Sequence, residues 1–145
     1  MSAATPSLLT VQLWAARIPG ILAFAEHYWL EVRDGASEAR WEVWQHRDAG
    51  GVSWGHLHRD LLPRESGVGN GPGRLVAQWT GDEAIRLRSV INASPTTYPW
   101  VDRYRLWPGP NSNTYVQWVL GRGHVLGWRG FGKRFAFRCP PRTPA

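Results

Sequence analysis

Three consecutive stretches decide the fold: His27-Tyr28-Trp29-Leu30-Glu31-Val32-Arg33, then Asp34-Gly35-Ala36-Ser37, then Arg40-Trp41-Glu42-Val43-Trp44-Gln45-His46. Aromatic and β-branched residues fill both arms, and Asp-Gly supplies a turn, so two antiparallel strands are predicted over 27–33 and 40–46. A turn there pairs residues whose numbers sum to about 71–73, which sets His27 opposite Trp44 to His46.

Working outward, 8–14 reads as a buried strand, stopped by Pro19-Gly20. The stretch 48–73 is rich in Gly, His and Pro and offers at most a short strand near Val52-Ser53-Trp54. Loops of that length in compact domains tend to be functional or mobile. A fourth strand is predicted over 75–79. Thr80-Gly81-Asp82-Glu83 then fits a capping box, and Ala84, Leu87, Val90 and Ile91 form a helical stripe that Pro95 ends. Tyr98 to Trp107 reads as extended or turning, and Pro108-Gly109-Pro110 forces a tight turn. A second helix opens near Asn111 to Asn113, carries Tyr115, Val116, Val119 and Leu120 on one face, and stops at Gly121 and Gly123. Arg134 to Arg138 is strand-like. The order describes an α+β domain, a small antiparallel sheet packed against two or more helices. One domain is expected over 1–145, with flexible ends at 1–7 and 139–145.

The 145 residues, 43% of them hydrophobic and ten of them Trp, suffice for one core and exclude disorder over most of the length. No window approaches the roughly 18 apolar residues that a membrane span needs. The start, Met1-Ser2-Ala3-Ala4-Thr5-Pro6, lacks a basic leader, so a cytoplasmic protein is expected. Cys139 is the only cysteine, which excludes an intrachain disulfide and a multi-cysteine zinc site, and its neighbours suggest no nucleophile. His56-Leu57-His58 with Asp60 has ligand types at strand spacing but no second group nearby, so neither a metal nor a cofactor is expected. Asp102, beside Arg103 and Arg105, reads as a surface ion pair. Sixteen of the seventeen cations are Arg and the net charge is +6. They are spread along the chain except for a cluster from Arg129 to Arg142, which reads as a solvated final strand. Nucleic acid is therefore not the expected partner. Among the tryptophans, Trp14, Trp29, Trp41, Trp79 and Trp118 fall in predicted elements and belong to the core. Trp54, Trp100, Trp107 and Trp128 fall in loops and could wall a groove.

Trp107-Pro108-Gly109-Pro110-Asn111-Ser112-Asn113-Thr114-Tyr115 is the most specific stretch. It holds Ser112 in the first turn of a helix, where unpaired amides and the helix dipole favour an oxyanion. Equally, Asn111, Ser112 or Asn113 could serve there as an N-cap.

With His27-Tyr28-Trp29 and Tyr98-Pro99, that stretch resembles a bacterial family of unknown function. Its pattern is His-x-Trp, then Tyr-Pro, then Trp-Pro-Gly-Pro-Asn-Ser-Asn-Thr-Phe, and Tyr115 stands in place of the Phe. More distantly, the order is similar to circularly permuted papain-like enzymes, the PPPDE peptidases and lecithin:retinol acyltransferase-like proteins. Those place a catalytic His first, on a strand, and a nucleophilic Cys later, at a helix start. The resemblance implies that Ser112 stands in the Cys position and His27 in that of the His. A serine, unlike a cysteine, is not ionised by a helix dipole and requires His27 as a general base. His46, on the His27 face of the hairpin, is the candidate that orients the imidazole, with Gln45 second.

The expected function is hydrolysis or acyl transfer at an amide or ester, with Ser112, His27 and His46 catalytic and Asn111, Asn113, Tyr98, Trp100 and Trp107 binding. Peptide or cell-wall amides are favoured over lipid esters, since the sequence shows no membrane-facing apolar run. The alternative is a catalytically silent module that binds a peptide, glycan or anionic partner.

Overall fold

The protein, a computed structural model, is described over residues 8–69 and 71–138; the expected flexible ends and Cys139 lie outside them. Six strands form one antiparallel sheet: β1 (Thr10–Arg17), β2 (Glu26–Asp34), β3 (Ser37–Val43), β4 (Val52–Trp54), β5 (Leu57–Arg59) and β6 (Arg74–Trp79). Their spatial order is β4-β5-β3-β2-β1-β6. Two helices, α1 (Gly81–Thr97) and α2 (Ser112–Leu120), pack against it, with 3-10 turns at Gly20–Leu22 and Lys133–Phe137.

Alternation along the strands sorts the side chains onto two faces. Leu13, Leu30, Val43 and their neighbours form the main core with Leu87 and Ile91 of α1 and Tyr115 and Val119 of α2. On the other face, Trp29 packs with Trp14 and Ala16. There His27, Glu31, Arg40 and Glu42 are also buried. The irregular stretch that follows β5, 60–69, covers this second face. The Pro63 and Ser66 carbonyls accept from Arg40 at 2.9 and 2.6 Å, and the Glu65 amide donates to Glu31 at 2.8 Å.

The structure corrects several expected elements. β3 ends at Val43, short of His46: the Trp44 amide still donates to the His56 carbonyl at 2.9 Å, in register with β5, and the chain bends away at Gln45 and His46. β5 was not expected, since His56 and His58 on either side of Leu57 broke the apolar pattern. Thr80 makes no capping bond; Glu83 pairs with Arg86 instead, at 2.6 Å. α1 also runs through Pro95, whose missing N–H would have met the Ile91 carbonyl. The Ser94 hydroxyl takes that carbonyl at 2.6 Å. Finally, 134–138 is not a strand but lies in the 3-10 turn, where the adjacent residues Phe135 and Ala136 are both buried.

Candidate functional site

His27 lies near the start of β2, where the sheet splits. The β2–β3 ladder ends at the Leu30–Trp41 pair, leaving the first residues of β2 without β3 partners. The start of α2 occupies that place. The Asn113 carboxamide accepts from the Tyr28 amide at 3.1 Å and donates to the Glu26 carbonyl at 2.9 Å, so it grips the backbone on both sides of His27. Ser112, the residue before it, lines a cavity of about 240 Å³ together with His27.

The imidazole is oriented from below. His27 Nε2 meets Glu42 Oε2 at 2.7 Å, and both side chains are buried. Arg40 clamps the same carboxylate with two bonds, Nε to Oε1 at 2.8 Å and Nη2 to Oε2 at 2.9 Å. The guanidinium lies 3.9 Å over the Trp29 ring, and His27 stacks on that ring from another side. Burial alone would raise the Glu42 carboxyl, but the hydrogen bond and charge of His27 and the Arg40 pair outweigh it and hold the group below its ordinary range. An ionised carboxylate only accepts, so a neutral His27 carries its proton on Nε2 and its lone pair on Nδ1.

At the helix start, three of four consecutive polar side chains are committed to structure. Asn111 Oδ1 accepts from the amides of Asn113 and Thr114, and Thr114 Oγ1 accepts from the Asn111 amide, a reciprocal capping box. Asn111 Nδ2 also donates to the Leu106 and Phe131 carbonyls, Asn113 Nδ2 to Phe131, and Thr114 Oγ1 to Gly132. Gly132 has φ 96°, and a Cβ there would meet the Asn111 carboxamide. Ser112 is the exception: its hydroxyl takes part in none of the hydrogen bonds among the described residues. The Pro-Gly-Pro turn that leads in contains two cis peptide bonds, Trp107–Pro108 and Gly109–Pro110. The Tyr115 hydroxyl, an addition relative to the expected Phe, shares a bond with Ser94 at 2.9 Å.

Ser112 also ends a second, apolar cavity of about 310 Å³ walled by Leu22, Phe24, Leu106, Trp107 and Phe131. This wall lies within one matched region: the model of a family described as "Protein of unknown function (DUF3750)" matches residues 9–135. The chain belongs to the DUF3750 family. No curated protein and no solved structure matches it. His27, Arg40, Glu42 and Ser112 all fall inside the DUF3750 match.

Several expected site residues stand elsewhere. His46 is exposed in the bend after β3 and does not touch His27; Glu42 occupies that position. Gln45 lines the His27 cavity. Tyr98 and Trp100 are buried in the core, Tyr98 against Tyr115 and Trp118 and Trp100 against Phe135, and line neither cavity. Asn111 and Asn113 reach the cavity edge but their side chains are occupied as above. Of the binding residues expected, Trp107 alone presents an exposed ring to a cavity. His56 and His58 bond to backbone, His58 Nδ1 to the His56 carbonyl at 2.8 Å and Nε2 to the Ala49 amide at 3.0 Å. Asp60 accepts from the Arg40 amide, and Asp102 pairs with Arg47 rather than with its sequence neighbours. Arg40 and Glu42 were missed. Their signal was present: two opposite charges two apart between Ala39, Trp41 and Val43 share one face of a strand and are buried only as a pair.

Proposed function

We propose that this DUF3750 protein is a serine hydrolase or acyltransferase that acts on an amide or ester. Ser112 is the nucleophile, His27 the general base and Glu42 the group that positions His27. One observation carries the reading: His27 is fixed by a buried carboxylate through Nε2 while it shares a cavity with a Ser112 hydroxyl that no structural bond occupies. The chain order, a strand His before a nucleophile at a helix start, supports the likeness to permuted papain-like enzymes.

In the reaction, Ser112 Oγ attacks the substrate carbonyl carbon as its proton passes to His27 Nδ1. The resulting imidazolium is stabilised by Glu42. The tetrahedral oxyanion meets the Ser112 amide, since the next two amides already bond to Asn111 Oδ1. His27 returns the proton to the leaving nitrogen or oxygen as its bond to the carbonyl carbon breaks. Water or an acceptor hydroxyl or amine then attacks the acyl-serine, again deprotonated by His27, and frees Ser112. The apolar cavity beyond Ser112 suits an apolar acyl or side-chain portion.

The occupied amides favour a second reading, a silent module that uses the same groove to bind a peptide, glycan or anionic ligand. Intact-mass labelling with a fluorophosphonate probe separates the two. A single adduct is expected on the wild type, absent in Ser112→Ala and His27→Ala and slower by about 100-fold or more in Glu42→Gln. An adduct that persists in Ser112→Ala overturns the assignment, and an unlabelled wild type favours the module.

A further inference from the structure

Charge in this chain is segregated. After Asp102 lie eight of the seventeen cations and none of the eleven acids. Every ion pair among the described residues draws its cation from before that point. Arg129, Lys133, Arg134 and Arg138 therefore have no carboxylate partner among the described residues.

Beside these cations lies an apolar patch assembled from three separate segments. Phe131 is its centre, with ring centroids 5.5 Å from Phe24, 6.2 Å from Trp107 and 6.5 Å from Trp128. Trp107 and Trp128 are each 66% exposed, and Ile21, at the tip of the turn whose Leu22 lines the apolar cavity, is 95% exposed. Trp107, Trp128 and Phe131 also wall a groove with Lys133, Arg134 and Arg138, so the apolar and cationic groups share one surface. Arg129 ties the parts together, with its guanidinium 4.1 Å over Trp128 and a bond to the Phe24 carbonyl at 2.9 Å.

We propose that this face docks on an anionic lipid bilayer. Trp107 and Trp128 enter the headgroup layer, where an amphipathic ring is favoured, and the cations lie against lipid phosphates and carboxylates. Exposed Ile21 and Leu106 select a bilayer over a nucleic acid, because a polyanion in water would leave them uncovered. No sequence window shows the patch, since its residues lie more than a hundred positions apart and meet only in the fold.

The test is co-sedimentation of the full chain with vesicles of phosphatidylcholine, alone or with about one third phosphatidylserine, at about 0.1 M salt. Binding to the anionic vesicles is expected, with weak retention on the neutral ones. Trp107→Ala with Trp128→Ala is expected to weaken binding about tenfold or more, and Arg134→Gln and Arg138→Gln about fivefold each. All four side chains are exposed, and thermal melts check that the variants fold. Ser112→Ala is expected to bind as the wild type, so a failed labelling experiment leaves this result standing. The proposal is overturned if the anionic vesicles retain no protein, or if the double Trp variant binds them unchanged. Tighter binding to a single-stranded oligonucleotide than to the vesicles would likewise overturn it and assign the face to a polyanion.

Discussion

The two faces of one sheet are built from alternate residues of the same strands, yet they hold together by different physics. On the helix side, Leu30, Trp41, Leu87 and Ile91 exclude water through apolar contact alone. On the other side the same strands bury Arg40, Glu42, His27 and Glu31, whose charges are tolerated because each is paired and hydrogen-bonded. The charged face fixes one imidazole in one orientation, which a set of leucines could not do.

The largest effect that would sharpen this contrast is on Glu42. Glu42→Ala leaves Arg40 and His27 buried without their counter-charge and is expected to cost about 3–5 kcal/mol by urea denaturation. Replacing the pair together, Arg40→Met with Glu42→Leu, is expected to recover much of that loss while the probe labelling of Ser112 stays slow. A double variant as unstable as the single one would break the contrast.

Leu87→Ala on the apolar face is expected to cost about 3 kcal/mol, with a change that is the same at neutral and acid pH. The wild type itself is expected to weaken in acid through the other face and its edge. Burial lowers the His58 imidazole from its ordinary 6.5, and the His27 and Arg40 contacts hold Glu42 below its ordinary 4.5. In both cases the unfolded chain binds protons first, so each contribution is complete above the ordinary value and is lost as pH falls through the lowered one. Thermal melts from pH 7 downward are thus expected to show a His58 step before a Glu42 step, and His58→Gln removes the first. Stability that rises on acidification would contradict both assignments.

The smallest effect tests how strictly the apolar face excludes polar atoms. The Tyr98 hydroxyl is buried and has no hydrogen-bond partner among the described residues. Tyr98→Phe is therefore expected to be neutral or stabilising by up to about 1 kcal/mol in a calorimetric melt. A clear loss would reveal a polar partner on that side.

The hairpin was legible to within its register. The observed pairs, such as Leu30 with Trp41, sit at the low end of the expected sums, which makes Glu42 and His46 the two diagonal neighbours of His27. Local sequence does not choose between them; the bend at Gln45 and His46, just past the last β3–β5 contact, does, by carrying His46 to the surface. The helix start near Asn111 to Asn113 was also legible, with Asn111 among the three caps it offered, but the capping box was not. The Thr80-to-Glu83 pattern met the rule and formed no box, whereas Asn111 and Thr114 formed one because Phe131 and Gly132 hold both side chains in place. The grip of Asn113 on β2 is a contact between residues far apart in the chain, to which periodicity is blind.

That grip has a consequence for the order in which the molecule assembles. The bonds from Asn113 to Tyr28 and Glu26 close loops of 85 and 87 residues, and the Asn111 and Asn113 side chains are finished only by carbonyls near position 131. Closing such loops costs chain entropy that local hairpins and helices do not incur. The β2–β3 hairpin can therefore form early, while the junction of Ser112 and His27 is among the last parts to be completed. On a ribosome it must wait until the chain beyond Gly132 has emerged. A nascent chain of this protein would carry a folded sheet well before it carried a finished site.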